Sequence, residues 1–461
     1  MKKLYKGIIT GLILVIPLWL FVYSAFPAAY DVCAEGCNYT TPALAAAGVP
    51  DNANHTITVE AGTYSGFTDS RNGTSPGYRY WIASGAVTIT GRVNLYGDYI
   101  KFEGFTIDGE GTQDAPLQVG SYDAPNISPE DHVYIKDVKI YRAGGENSVT
   151  VRGTYHTLDG VEIDTPYGTC DGIYMFGNNH LVTGVYYHNS TTSNCTGTAH
   201  TDFFQTWGDQ GDANKLQNTT IENSYIFIGN DTTGALMPYT SSANSKTGFM
   251  LNHCDNITIK NNIIQAASGF NTGGSGVPPI TNIKFYNNVV ITRTDIGGDY
   301  GSGFDLHGDT STADVKNNVF MNFNTDVSYM LSEQEGGATL TSDYNIFYVE
   351  SGTMAFADWP SGLTFEQWKT AGFDEHSQVI DPKFTTLYSD FTLQSDSPCI
   401  GAGVDLGSDY GLDPGSSWPD DVTAVDQDDY DDGTPGWEIG AYVYDSGTPS
   451  APASFSGVSF Q

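Results

Sequence analysis

The sequence predicts an all-β solenoid, and three observations predict it. A short run with period-2 alternation recurs along the middle of the 461-residue chain. Its copies are Asn147-Ser-Val-Thr-Val-Arg152-Gly153, Cys170-Asp-Gly-Ile-Tyr-Met-Phe-Gly177, Asp202-Phe-Phe-Gln-Thr-Trp207-Gly208, Thr247-Gly-Phe-Met-Leu-Asn252, Ser268-Gly-Phe-Asn-Thr-Gly273 and Ser302-Gly-Phe-Asp-Leu-His307-Gly308. Alternation of that period is the mark of a strand. A second signature, strand then Asn or Gly corner then strand, appears at Asn256 to Asn262, Asn282 to Asn288 and Ala313 to Asn318. Degenerate forms stand at Ile221-Glu-Asn223-Ser224, Phe102-Glu-Gly104, Ile135-Lys-Asp137, Leu158-Asp-Gly160 and Val182-Thr-Gly184. The third observation is composition: 53 Gly, 29 Tyr and 23 Phe with only 16% charged residues suit short strands and many turns. Rungs recurring every roughly 20–45 residues fall in the solenoid range.

The first run sets the register. Val149, Ile173, Phe204, Phe249, Phe270 and Phe304 fall in one column of one face, and Val151, Met175, Thr206, Leu251 and Leu306 in the next. The opposite face carries Thr150, Tyr174, Gln205, Met250, Asn271 and Asp305, with Arg152, Phe176, Trp207, Asn252 and His307 beside them. The corner residues are Asn or Gly because a tight corner needs left-handed backbone, which these tolerate. Asn in consecutive rungs can also stack as an amide ladder.

In chain order, residues 1–29 carry Lys2, Lys3 and Lys6 before an almost wholly apolar stretch over 7–26. That is a cleaved secretory signal or a retained membrane anchor, and in both cases the body is exported. The membrane is engaged only through this segment. Residues 30–66 read as an N-terminal cap, with a short helix over Ala43 to Ala47, and first rung; 67–350 as the solenoid; 351–446 as a C-terminal cap region with a helix from Phe365; 447–461 as a disordered tail. In an exported chain, Cys33–Cys37 and Cys170–Cys195 are expected disulfides. Long loops at 190–200, 229–245 and 291–301 precede first-strand runs, where binding sites tend to be built. The run Asp426 to Gly433 is a solvated acidic loop or a cluster of calcium-binding oxygens, and Tyr430 breaks the EF-hand spacing. The charge balance, 19 Lys+Arg against 54 Asp+Glu for a net −35, argues against nucleic acid as a partner and against polyanions unless a cation intervenes.

The alternation, the Asn corners and the long loops resemble the right-handed parallel β-helix of the pectate-lyase-like superfamily, over about residues 55–350. The resemblance implies about ten capped rungs and is structural rather than catalytic. Asp381-Pro-Lys-Phe384, the run Asp390 to Asp405, and Trp437-Glu-Ile-Gly-Ala-Tyr442 resemble the C-terminal end of many secreted β-helix proteins, which covers the last rung. Gly303-Phe304-Asp305-Leu306-His307 resembles the catalytic Tyr-Gly-Phe-Asp-Pro-His stretch of mannuronan C5-epimerases, with Leu306 for Pro and Tyr300 displaced by Gly301 and Ser302.

The candidate chemistry lies on the outward stripe. Asp305 and His307, two apart on one strand, point the same way and can share acid–base work. Tyr174, Phe176 and Trp207 can stack on sugar rings while Gln205, Asn252 and Asn271 bond hydroxyls; covering by loops is the alternative. Asp171 and Asp202 sit on neighbouring rungs about 4.8 Å apart, not on the stripe but with the parity of inward Ile173, so they serve only from the turn before the strand; there they hold Ca²⁺ or act as a paired-carboxylate hydrolase, or else they cap turns. His200 adds an imidazole near Asp202. Arg152 and Lys246 are the cations available to neutralise a uronate, or are surface charges. These features suggest a polysaccharide lyase or epimerase working outside the cell, with calcium as the one cofactor to consider. A non-catalytic glycan-binding or structural surface protein is the other reading.

Overall fold

The computed structural model describes residues 28–444 apart from 76, 121–131, 192, 196–200, 207–214, 231–234, 237–245, 273–277, 293–301, 309, 323–326, 335–336, 358–361, 388–389, 408–409 and 411–435. The N-terminal apolar segment, the acidic run over 426–433 and the C-terminal tail lie outside these residues. Among the described residues no helix is long and apolar enough to cross a membrane.

The short strands pair in parallel, each with its equivalent one rung on, which makes three continuous sheets. The first runs through Leu117–Val119, Asn147–Val151, Asp171–Met175, Thr201–Gln205, Lys246–Leu251, Ser268–Thr272 and Ser302–His307 to Val327–Gln334 and Thr353–Ala357. The second runs from Ile100–Glu103 to Thr339–Asp343, and the third from Thr106–Asp108 to Ile346–Val349. The long strand Arg79–Leu95 feeds all three. A wound stack of this kind is a parallel β-helix.

The predicted inner column is the observed one. Val149 pairs with Ile173, then Phe204, Phe249, Phe270 and Phe304 follow in register, extended by Leu117 before and Leu331 after. All eight are fully buried. Phe270 and Phe304 stack with centroids 4.2 Å apart. Burial of this order contributes about 1.5–3 kcal/mol per side chain.

The corner between the second and third sheets repeats one backbone conformation. Asn223, Asn261, Asn287 and Asn317 have φ of 50°, 57°, 53° and 56°, and Gly104, Gly160 and Gly184 hold the equivalent place in earlier rungs. The following residues build the amide ladder inside the turn. Asn318 Nδ2 donates to Asn345 Oδ1 (3.1 Å), Asn288 Nδ2 to Asn318 Oδ1 (3.1 Å), and Asn262 Nδ2 to Asn288 Oδ1 (3.0 Å). Each amide also bonds backbone groups, as Asn318 Nδ2 does to Phe285 O at 2.8 Å. A second ladder lies on the surface between the first and second sheets, where Asn256 Nδ2 donates to Asn218 Oδ1 at 2.7 Å.

The ends are closed by similar devices. At the N-terminal end, buried Asp69 accepts from Arg79 Nε and Trp81 Nε1, both at 2.7 Å. The helix Pro42–Gly48 sits beside the first rung. At the other end the helix Phe365–Thr370 carries a capping box, and its buried Trp368 donates to Asp374 at 2.7 Å. The C-terminal segment does more than cover the last rung. Phe384, Phe391, Leu393, Cys399, Ile439 and Ala441 pack along the outer side of the third sheet, back to Tyr186 and Tyr225. That side is apolar from Tyr225 through Ile346, so it needs a cover. Both expected disulfides are present, and Cys254 and Cys399 are buried free thiols.

His156 and His180 stack at 5.2 Å inside the turn after the first sheet. Val133 N–H donates to Nδ1 of His156, and His156 N–H to Nδ1 of His180. Each Nε2 therefore carries the proton and donates to a carbonyl, of Arg152 and Phe176. Burial holds both neutral, His156 well below the ordinary imidazole value and His180 at about 4.

Two predictions follow from the turns. Asn318→Ala leaves buried backbone groups unbonded and should cost ~2–4 kcal/mol, whereas Asn256→Ala on the surface should cost under ~1 kcal/mol. Urea midpoints compare them; equal losses would contradict the assignment of the inner ladder. For His180 the folded pKa is below the unfolded one, so its stability is present in full above about pH 6.5 and is lost as pH falls toward about 4. The gap in unfolding free energy between the wild type and His180→Asn should narrow by up to ~1.4 kcal/mol per pH unit in that window. Parallel curves would show that the imidazole is not held neutral.

Candidate functional site

The outer side of the first sheet carries one column in the predicted register: Gln118, Thr150, Tyr174, Gln205, Met250, Asn271, Asp305 and Ser332. Arg152, Phe176, Asn252 and His307 form the flanking column. Trp207 and His200 lie outside the described residues.

At the C-terminal end of this stripe the sequence's acid–imidazole pair is formed. His307 Nε2 lies 2.8 Å from Asp305 Oδ2. The other Asp305 oxygen accepts from Ser332 Oγ one rung on. Thr272 accepts from the His307 N–H at 2.6 Å, which fixes the backbone on the preceding side. Asp305 is 6% exposed and His307 is half-buried. Burial alone disfavours the imidazolium, but the bond to Asp305 and its charge together raise the His307 pKa above the ordinary value. The result is a partly accessible imidazole oriented by a clamped carboxylate, an arrangement able to take and return a proton.

A second cluster lies three to four rungs away, about 14–19 Å by strand spacing. Asp171 is 1% exposed and Asp202 0%. Asp171 Oδ2 accepts from Tyr174 Oη at 2.9 Å, and Oδ1 from the Asp202 N–H at 2.8 Å. Lys246 is 4% exposed, and its Nζ donates to Thr201 Oγ1 at 2.9 Å. Burial lowers the Lys246 pKa, against the raising charges of Asp202 and Asp171. The two carboxylates differ in what they already serve. Ca²⁺ takes 6–8 oxygens; both Asp171 oxygens already accept, from a phenol and from a backbone amide, and the buried Lys246 ammonium is near enough to feel the charges of Asp202 and Asp171. Both carboxylates are too enclosed for a hydrolase pair, and Asp171 ties its strand to that of Asp202. Lys246 is likewise not a surface charge.

Other expectations need correction. Phe176 is 6% exposed and lies under the Arg152 guanidinium, 5.1 Å from ring centre to carbon, so its face is covered. Tyr174 is half-buried with its hydroxyl committed to Asp171, whose charge, after burial, pushes the phenol pKa up. Gln205 is 2% exposed. Asn252, Asn271 and Arg152 remain half-buried. Arg152 stands five rungs from His307, about 24 Å, so it cannot act on the same sugar unit.

Sequence reasoning missed a cluster on the third sheet. Glu162, Asp164 and His188 place ligand-type atoms within 4.8 Å of one another. Lys139 Nζ pairs with two of them, 2.9 Å from Glu162 and 2.6 Å from Asp164, and His188 Nε2 lies 3.0 Å from Glu162. The Asp108–Arg142 ion pair lies on the same side. The signal was present as acidic residues facing Lys139 one rung apart, at Lys139, Glu162 and Asp164.

No family model and no curated protein matches the chain. Among solved structures it is similar to the PL6-family polysaccharide lyase of Pseudopedobacter saltans, at 13% identity and TM-score 0.43 over 73% of this chain and 90% of that one. It is also similar to pectate lyase Pel9A, at 14% identity and TM-score 0.41 over 91% and 97%. An alginate lyase from a Paenibacillus species aligns at 12% identity and TM-score 0.37 over 72% and 98%.

The electrostatic account of His307 has a direct check. In Asp305→Asn the bond and charge are lost while burial stays, so the His307 titration, followed by NMR of histidine-labelled protein, should move from above about 6.5 to below it. An unmoved titration would mean that Asp305 does not set the imidazole's basicity.

Proposed function

We propose that this chain is an extracellular polysaccharide-acting enzyme of the lyase or epimerase type, working in the groove along the outer side of the first sheet. The observation that carries the reading is the Asp305–His307 pair, clamped by Ser332 and Thr272 and half-open to that groove. Removal of a proton alpha to a uronate carboxylate needs a base within reach of it and a rigid mount. His307 supplies the base: with Nε2–H donated to Asp305, its Nδ1 lone pair is the one left for substrate, and Asp305 stabilises the imidazolium that forms. In a lyase the electron pair left at C5 forms the C4–C5 double bond as the C4–O bond to the leaving sugar breaks, and that oxygen takes a proton from the imidazolium or from water; in an epimerase C5 takes a proton from water on the opposite face and the imidazolium returns its own to solvent. Asn271 and Asn252 are the groove's hydroxyl-bonding residues, and Arg152 is a carboxylate contact for a distant unit of the chain. The two disulfides suit an exported protein. No step is assigned to calcium.

The experiment is a screen of the protein against uronate-containing and neutral polysaccharides, with Ca²⁺ and with EDTA. Ultraviolet absorbance reports unsaturated products, and reducing-end release reports hydrolysis. Turnover of a uronate polymer is expected, reduced ~10²–10⁴-fold in His307→Gln. The acid limb of kcat/KM should move to lower pH in Asp305→Asn, because the lost carboxylate no longer favours the imidazolium. Reducing ends released from neutral polymers without absorbance would overturn the reading. Glycan binding with no turnover at all would leave a surface-binding protein instead.

A further inference from the structure

The corner between the first and second sheets carries two kinds of side chain end to end, and they meet at a step. Tyr99, His132, Tyr155, Asn179, Asn218, Asn256 and Asn282 share one column, with left-handed φ of 54°, 64°, 59°, 60°, 47°, 55° and 55°. The first three stack ring on ring. Tyr99 lies on His132 with centroids 4.8 Å apart and planes at 22°, and His132 on Tyr155 at 4.9 Å and 15°. The later members form the surface amide ladder, Asn282 to Asn256 to Asn218, whose last link runs from Asn218 Nδ2 to Asn178 Oδ1 at 2.8 Å. His132 covers one face of the Tyr155 ring. The place over the other face falls to Asn179, whose side chain is too short to cover it, and Tyr155 is left 49% exposed. Among the described residues no other Phe, Trp or Tyr is as exposed.

Two features of the step choose a ligand. The first is spacing. The stack advances by 4.8 and 4.9 Å a ring, so the place over Asn179 takes one further ring at the same interval. The second is the pair of amides beside it. The Asn178 side chain spends only its oxygen, on Asn218, and the Asn179 side chain has no bond among the described residues. A pyranose matches both features. The C–H groups on one side of its ring lie against an aromatic face, and the hydroxyls on its rim give to and take from amides. An aromatic side chain would fill the same place but leave the amides unused, and a nucleotide would bring phosphate to a chain of net charge −35. The backbone adds a reason to ask what Tyr155 does there, because left-handed φ suits a bulky ring less well than the Asn of the later rungs. We propose that the Tyr155–Asn179 step is a non-catalytic site for one pyranose unit of a glycan, stacked on Tyr155 and bonded at its rim by Asn178 and Asn179. It stands on the rung of Arg152, five rungs from His307, about 24 Å by strand spacing. The polysaccharide reading above supplies a source of such a ligand; the site stands on the step itself. Its attraction is stacking and neutral hydrogen bonds, so salt does not screen it.

The test is an NMR titration of the full chain, labelled in its tyrosine rings, with cellotetraose and with tetramannuronate at low and at high salt. Five proteins are compared: wild type, Tyr155→Asn, Tyr155→Trp, Asn178→Ala/Asn179→Gly and His307→Gln. Tyr155→Asn puts at this corner the residue type that the later rungs use, and Asn179→Gly suits the left-handed backbone, so both remove ligand contacts without straining the turn. Melting temperature and circular dichroism check each fold. At least one tetrasaccharide should move the Tyr155 ring signals, with its own C–H protons shifted upfield by the ring. His307→Gln should bind it equally, and Tyr155→Trp should keep the affinity. Tyr155→Asn and the double Asn variant should each lose about tenfold or more. High salt should change the affinity by less than about twofold. Unchanged affinity in folded Tyr155→Asn, no response of the Tyr155 ring to either sugar, or affinity lost at high salt would each overturn the proposal. Indole bound at the ring where neither sugar binds would do so too. Step binding without any turnover would sink the enzymatic reading and leave this site standing, and turnover with the Tyr155 ring unmoved would do the reverse.

Discussion

Everything in this molecule depends on parallel rungs meeting without a slip in register. A one-residue slip would turn Phe204, Phe249, Phe270 and Phe304 from the core to the surface. The corner residues prevent it. Each rung must bend through left-handed backbone at the same place, and Asn261, Asn287 and Asn317 do so. The next residue of each corner then bonds its counterparts on both sides, Asn262 through Asn288 and Asn318 to Asn345. Apolar columns drive the stacking, and amide ladders specify the alignment. The groove inherits its regularity from that alignment, since Asp305 and Ser332 can meet only if their rungs are in register.

Much of this was legible because both signals are local. Period-2 alternation assigned the Val149 to Phe304 column correctly, and the Asn and Gly corners were read down to the degenerate ones at Gly104, Asp137, Gly160 and Gly184. The Asp305–His307 contact follows from two residues of like parity on one strand. What lies over an outer face is not a local property, and there the reading failed. Phe176 was expected to face sugars, but Arg152 covers it. Lys246 has the sequence position of a surface charge but is enclosed with Asp171 and Asp202. Nor could the repeat show that the C-terminal segment returns along the third sheet, because its partners lie far apart in sequence: Asn317 bonds the Val404 carbonyl, and Asn287 that of Tyr410.

The scarcity of basic residues gives each one weight. Lys139 pairs with Glu162 and Asp164, and Lys246 is buried within reach of the charges of Asp202 and Asp171. Arg79 neutralises Asp69 at the N-terminal end. Acidic clusters in such a chain therefore have to be read with their lysines before a cation is invoked.

The central claim is that His307 moves the proton alpha to a uronate carboxylate. Both eliminative and inverting chemistry pass through that proton, so its exchange is the most direct test. The protein would be incubated with a uronate polymer in deuterated water, and the label at the alpha carbon read by NMR. The account predicts deuterium in epimerised units or loss of the alpha hydrogen in unsaturated ends, each abolished in His307→Gln. Polymer cleaved or bound with the alpha hydrogen fully retained would contradict it.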